Sequence, residues 1–236
     1  MRSTVLEWLD PGILQEAAKD FRLLLNRGYP RRPVLELVGN RYGLRSDQRH
    51  LLHRGVFSDA DATSRRKKKV PLSKAVHKTL AIDGYNVIIT IEAGLSGRPL
   101  ILGDDGFIRD ISGLSGRYRK TAETEEALSL IFKALKKFTP FHTLFLFDAP
   151  ISMSGEFAEE VRNRMKDESL PGEAEAVSVP EGVLMGFPGL VATSDTAIID
   201  SCAKGIDLAG ELLGKMKGLT LVQWQRERTR RRREKT

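Results

Sequence analysis

Three apolar runs in this chain each end in an aspartate: Thr79-Leu80-Ala81-Ile82-Asp83, Thr143-Leu144-Phe145-Leu146-Phe147-Asp148 and Leu190-Val191-Ala192-Thr193-Ser194-Asp195. A carboxylate is a hard oxygen donor. Three of them brought to one place repel each other unless something positive sits between them, and Mg2+ or Mn2+ is the natural candidate. Such an ion polarises a phosphodiester and lowers the pKa of an attacking water. Asp83, Asp148 and Asp195 are therefore the candidate catalytic residues and metal ligands. Asp200, a short distance along the helix expected after Asp195, is a candidate fourth ligand. Asn86, in Asp83-Gly84-Tyr85-Asn86, can hydrogen-bond the Asp83 carboxylate or a phosphate oxygen, and Ser194 is a candidate substrate contact. A lone aspartate after a strand is usually a helix cap. Three at one sheet edge, one of them inside Ile-Asp-Gly-Tyr-Asn, are not readily dismissed as caps.

The elements that would bring these residues together follow from the pattern. Each run reads as a buried strand of a parallel sheet, whose ligands sit at the carboxyl ends of the strands. From residue 77 onward strands and helices alternate, with helices expected near Val87–Ala93, Thr124–Phe138 and Glu156–Lys166. Residues 171–180 read as a loop, and Leu219–Trp224 as a last strand. The rhythm is that of an α/β fold with a mostly parallel central sheet. Pro99–Gly103 and Phe107–Ile111 read as a hairpin around Asp105-Gly106. Residues 1–58 read as a small all-helical N-terminal domain: Ile13–Arg27 stopped by Gly28, a helix from Pro33 stopped by Gly43, and a third capped by Ser46 and stopped by Gly55. The last two could form a helix-turn-helix, with packing or docking the favoured role over DNA reading. Residues 59–76 read as a basic linker, 77–222 as the α/β domain and 223–236 as a basic tail.

The chain has 236 residues and a net charge of +7, concentrated in Arg65-Arg66-Lys67-Lys68-Lys69 and in the tail after Gln225. Basic arms flanking an acidic body attract polyanions, nucleic acid above all; the alternative is a solvated linker and a frayed end. Gly-Leu-Ser-Gly-Arg occurs twice, ending at Arg98 and Arg117, and offers backbone NH groups beside an arginine for phosphate contact. The alternative is two loops that need glycine. No run is apolar and long enough to span a membrane, and Met1–Leu14 does not read as a secretion signal. One cysteine, Cys202, excludes an internal disulfide and fits a reducing, cytoplasmic compartment. One Cys and four His make a structural zinc site improbable, and Gly-Leu-Ser-Gly-Arg is not a Walker loop because the required Gly-Lys-Ser/Thr is absent. His50 and His53 read as surface residues or phosphate contacts, Cys202 as packing, and Trp8 and Trp224 as core or docking residues.

Ile82-Asp83-Gly84-Tyr85-Asn86-Val87, then Leu146-Phe147-Asp148, then Ala192-Thr193-Ser194-Asp195 resemble the ordered motifs of the PIN-like nuclease superfamily, especially its NYN branch. The resemblance covers roughly residues 77–222. It implies a three-layer α/β/α PIN-like domain and divalent-metal cleavage of RNA, with Asp83, Asn86, Asp148 and Asp195 as metal or phosphate ligands. The whole chain also resembles a group of mostly archaeal proteins that join a short helical domain to such a domain. Segment Ser96–Arg119 departs from the common pattern as an insertion that could cover or reshape the cleft. Within it Arg109, Asp110, Arg117 and Arg119 are candidate substrate contacts. The expectation is a metal-dependent endoribonuclease. A non-catalytic RNA-binding or assembly factor and a metal-dependent nucleotide phosphatase stand as alternatives. A protein partner or homodimer is expected through the helical domain.

Overall fold

The computed structural model describes residues 11–111 and 118–224. In chain order the elements are α1 (Pro11–Asn26), α2 (Arg31–Arg41), α3 (Ser46–Gly55), α4 (Asp59–Lys68), β1 (Thr79–Asp83), α5 (Gly84–Leu95), β2 (Leu100–Leu102), β3 (Ile108–Asp110), α6 (Ala122–Phe138), β4 (His142–Asp148), α7 (Ser154–Asp167), β5 (Gly172–Val177), α8 (Pro180–Met185), β6 (Leu190–Ala192), α9 (Thr196–Ser201), β7 (Gly205–Ile206), α10 (Leu208–Leu213) and β8 (Leu221–Val222). Five strands form a parallel sheet in the order β5-β4-β1-β6-β7. Strand alternation splits its apolar residues between two faces. Leu80, Ile82, Phe145, Phe147 and Ala192 enter the larger core under α5, α6, α7 and α10. Ala81, Leu146 and Val191 enter a smaller one with Leu184 of α8 and Ile198 of α9. The result is the expected three-layer α/β/α arrangement, thick on one face and thin on the other.

Strand order places the cleft. After β1 the chain crosses to β4 and β5 on one side, then returns to β6 and β7 on the other. Neighbouring connections therefore diverge around β1, which opens a crevice at the carboxyl ends of the strands. Register delivers the acids there: Asp83 pairs with Leu146, two residues before Asp148, and Ile82 pairs with Ala192, three before Asp195.

Several expectations are corrected. Residues 171–180 are not all loop, since Gly172–Val177 form the edge strand β5. Its Gly-Glu-Ala-Glu-Ala-Val sequence alternates small and charged residues but lacks the β-branched bulk that marks a strand. The hairpin and the last strand exist, yet they join each other in a separate three-stranded sheet, β3-β2-β8. Leu100 of β2 faces the α/β core while Ile101 faces the core of the helical unit, together with Trp224, Phe21, Leu51 and Leu52. The inserted sheet thus seats the helices on the α/β unit.

Residues 59–68 are not a linker but helix α4. Ser58 Oγ accepts from the Asp61 N–H, acids lie in its first turn and Arg65–Lys68 in its last, so the charge gradient that reads as a boundary is a helix-dipole pattern. Most of the cations at its end are engaged by the protein itself. Arg65 donates both Nε and Nη2 to Asp200 at 2.7 Å, Arg66 bonds the Asp104 carbonyl, and Lys69 reaches Asp207 at 2.8 Å. Around Phe57 the guanidinium groups of Arg31, Arg65 and Arg109 stand 4.8, 4.6 and 5.2 Å from the ring centroid. Arg22 binds Asp104 through two bonds of 2.8 and 2.9 Å, and Arg109 binds Asp105 through two of 2.9 and 2.7 Å. The basic run is thus largely spent on the protein's own carboxylates and carbonyls. No helix among the described residues is long and apolar enough to cross a membrane. The tail, Trp8 and the second Gly-Leu-Ser-Gly-Arg lie outside the described residues.

Candidate functional site

Asp83 ends β1 and is 8% exposed. Gly84 must follow it, because a Cβ there would stand 2.4 Å from Phe147 Cε1 and 2.8 Å from the Leu146 carbonyl oxygen. That close approach lets α5 start directly on the strand and leaves the Asp83 carboxyl at the strand's tip. Its Oδ2 accepts from Thr193 Oγ1 at 2.7 Å. Burial pushes its pKa up to about 7 against the pull of that hydrogen bond, and the charges of Asp195, Asp148 and Glu181 push the same way. Asp148 is raised as well, first by burial and then by Glu181.

The cleft has a volume of about 370 Å³. Asp83, Asp110, Asp148, Glu181 and Asp195 line it, and among the described residues Arg54 is its one cationic lining group. Ile89, Ile151 and Ile198 supply apolar wall. Asn86 Oδ1 accepts from both the backbone N–H (2.8 Å) and the hydroxyl (3.0 Å) of Ser194, fixing the loop between β6 and α9. A backbone N–H can only donate, so the atom it meets is the amide oxygen, and the amide nitrogen remains as a donor on a cleft-lining side chain. Asp195 also caps α9: its Oδ1 accepts from the N–H groups of Ala197 (2.8 Å) and Ile198 (3.1 Å).

The donor set is all oxygen, which suits Mg2+ or Mn2+ and not a softer ion. Among the described residues no three Asp, Glu, His or Cys side chains stand together as a ready-made ligand cage. Mg2+ does not require one, since it keeps several waters and is usually held by one or two carboxylates plus substrate phosphates. Asp83 and Asp148 fit that role, with Asp195 offering the oxygen not used in capping.

Over residues 72–211 the chain matches the family described as a domain of unknown function (DUF5616). It belongs to that family. Residues 13–68 match a second family, described as a protein of unknown function (DUF434). The DUF434 match ends with α4 and the DUF5616 match begins just before β1, so the two matches meet at residues 69–71 rather than across a long linker. A relative in the archaeon Methanocaldococcus jannaschii, described as Uncharacterized protein MJ0935, is 34% identical over 206 residues, covering 86% of this chain and 98% of that protein. No solved structure matches. The matched descriptions name no PIN family.

Within the DUF5616 segment the structure brings Asp83, Asn86, Asp110, Asp148 and Asp195 to one cleft and leaves other candidates out. Asp200 lies on α9 facing α4, where Arg65 holds both its oxygens, so it is not a metal ligand here. Arg109 is 2% exposed and occupied by Asp105 and the Ser194 carbonyl; it supports the loop and cannot reach substrate. Ser194 is buried with its hydroxyl on Asn86, so it positions rather than contacts. Arg98 follows the far end of α5, roughly 18 Å from Asp83 at 1.5 Å per helical residue. Arg119 lines a neighbouring groove with Tyr118 and Phe157. Arg117 lies outside the described residues. Sequence reasoning missed Glu181 and Arg54. Glu181 sits in the first turn of α8, where Pro at a first helical position followed by an acid is a start signal. Nothing in the sequence marks Arg54, whose role depends on how the helical unit docks.

Proposed function

We propose that this protein is a divalent-metal-dependent endoribonuclease with a PIN-like site in its DUF5616 segment. The observation that carries the reading is Asp83: a buried carboxyl at the switch point of the sheet, surrounded by like charges. Leaving it so disfavours the chain on its own, and a cation would relieve the repulsion. The motif order Asp83-Gly84-Tyr85-Asn86, Asp148, Ser194-Asp195 supports the same reading.

In this reading Asp83 and Asp148 hold Mg2+ or Mn2+, which when bound supplies an activated water and charge neutralisation at the phosphate. Asn86 keeps the β6–α9 loop, and hence Asp195, in register with Asp83. Ile89, Ile151 and Ile198 limit water beside the reacting phosphate. A cytoplasmic site of action fits a chain whose single cysteine is buried and free.

The test is cleavage of labelled single-stranded and structured RNA by the full chain. Cleavage should require Mg2+ or Mn2+ and stop with EDTA. Asp83→Asn and Asp148→Asn should each lower kcat by at least about a hundredfold with the fold intact by circular dichroism. Undiminished cleavage by both variants would remove the mechanism. A second reading, a nucleotide phosphatase, is favoured by the size of the cleft, which lies at the small-molecule end of binding sites. Phosphate release from mononucleotides with polymer left uncut would decide for it.

A further inference from the structure

We infer that Arg54, contributed by the DUF434 segment, is the phosphate-binding residue of the DUF5616 cleft, and that Asp110 holds it in place when substrate is absent. The inference rests on the proposed phosphodiester chemistry.

Arg54 lies in the last turn of α3, and the end of that helix is pinned to the inserted sheet. The Asp104 N–H donates to the Gly55 carbonyl at 2.8 Å, and the Phe57 N–H donates to Asp104 Oδ2 at 3.1 Å. Gly55 is packed so closely that a Cβ would meet Trp224 Nε1 at 2.3 Å and Ile101 Cγ2 at 2.6 Å. The backbone is thus fixed at the cleft wall while the side chain is not. The guanidinium makes one hydrogen bond, from Nη2 to Asp110 Oδ2 at 3.2 Å, and Nε is buried without a hydrogen-bond partner. The side chain is 24% exposed.

The contrast with its neighbours is informative. Arg22, Arg65 and Arg109 each close a two-pronged contact with a carboxylate, at 2.7–2.9 Å. Each of those three commits two donors to one carboxylate, although Arg65 Nη1 is buried without a hydrogen-bond partner. Arg54 has five donors and uses one, beside five carboxylates. A phosphate entering an acidic cleft needs positive charge from the protein as well as from an ion. A planar guanidinium presented sideways can take two of its oxygens at once. Asp110 is 3% exposed and keeps the group at the wall through one 3.2 Å contact, which Arg54 can retain while its unused donors take a phosphate.

The experiment uses the full chain with Asp83→Asn as an uncleaving parent, and a fluorescent single-stranded oligoribonucleotide in Mg2+ over a range of KCl. In the variant that also carries Arg54→Met with Asp110→Asn, both charges are gone and no buried carboxylate is stranded. It should bind roughly ten- to a hundredfold more weakly, and the salt slope should fall by about 0.7. Arg54→Lys should keep the slope, and in the cleaving protein it should lower kcat/KM several-fold because the fork is lost. Affinity and slope unchanged in the charge-free variant would overturn the inference; if that variant fails to fold, unaltered binding and cleavage by Arg54→Lys would do the same. Cleavage that depends on Asp83 but not on Arg54 leaves the nuclease reading standing and removes this one. Binding that depends on Arg54 without any cleavage does the reverse. An Asp83→Asn parent that does not bind, together with an unsubstituted protein that does not cut, removes both.

Discussion

Asp83 shows at the scale of one residue why a site of this kind strains the chain that carries it. An unfolded aspartate loses its proton near pH 4, whereas Asp83 in the folded protein holds its proton up to about pH 7. Between those values the folded state binds more protons, so stability falls as pH rises from about 4 to about 7 and stays low above. The full effect is up to roughly 4 kcal/mol. Asp83→Asn keeps an acceptor for Thr193 and removes the charge. It should melt several degrees above the parent at pH 8 and together with it near pH 4, by calorimetry. Added Mg2+ should raise the melting temperature of the parent at pH 8 and leave Asp83→Asn unmoved; equal shifts would mean the ion binds elsewhere. His53 is perturbed the opposite way. Burial, then Arg31, His50 and Arg54, hold its pKa down to about 4, so it is neutral at pH 7. The unfolded chain protonates this imidazole near pH 6.5, so its contribution to stability is lost as pH falls from about 6.5 towards 4. Both His50 and His53 are exposed, as one of the two expectations for them has it, while a phosphate contact does not suit a His53 imidazole that accepts from Arg31.

Two glycines decide how elements meet. Gly84 and Gly55 have no room for a Cβ, the first against Phe147 and a backbone carbonyl, the second against Trp224 and Ile101. Gly55→Ala should destabilise the protein by roughly 1–3 kcal/mol through overpacking, and should separate α3 from the inserted sheet before the α/β unit melts. Hydrogen exchange would report this as early loss of protection in α3, β2 and β8; uniform loss across the chain would contradict it. Most of the elements were legible in advance. The strands ending in Asp83 and Asp148, the helices flanking them and the hairpin at Asp105-Gly106 all carry strong local patterns. β5 and β7 were not, because a small, charged edge strand and a two-residue strand carry almost no apolar signal of their own. The pairing of β8 with β2 rather than with the main sheet was also hidden, since strand partners are chosen by tertiary contacts and not by the strand's own composition.

At the scale of the molecule, the helical and α/β units are joined by a buried ionic layer rather than a flexible tether. Asp104 has a side chain 1% exposed and depends on Arg22 from α1. Arg22→Ala should cost roughly 3–5 kcal/mol because it takes the paired cation from a buried carboxylate, whereas Arg22→Met with Asp104→Asn should cost markedly less. Chemical denaturation of the two variants would measure the difference, and equal losses would show that the pair contributes through packing alone. The sequence by itself determined the α/β class, the helical character of residues 11–55 and the presence of an aspartate at the end of each of three apolar runs, because apolar periodicity and strand-end acids are local properties, whereas strand order and register bring those acids to one edge. Only the tertiary structure decided which charges are used up. Asp200, Arg109 and the basic run 65–69 look as available in the sequence as Asp83 and Arg54. Availability depends on whether an oppositely charged group or a set of carbonyls closes on the side chain, and that arrangement exists only once the chain has folded.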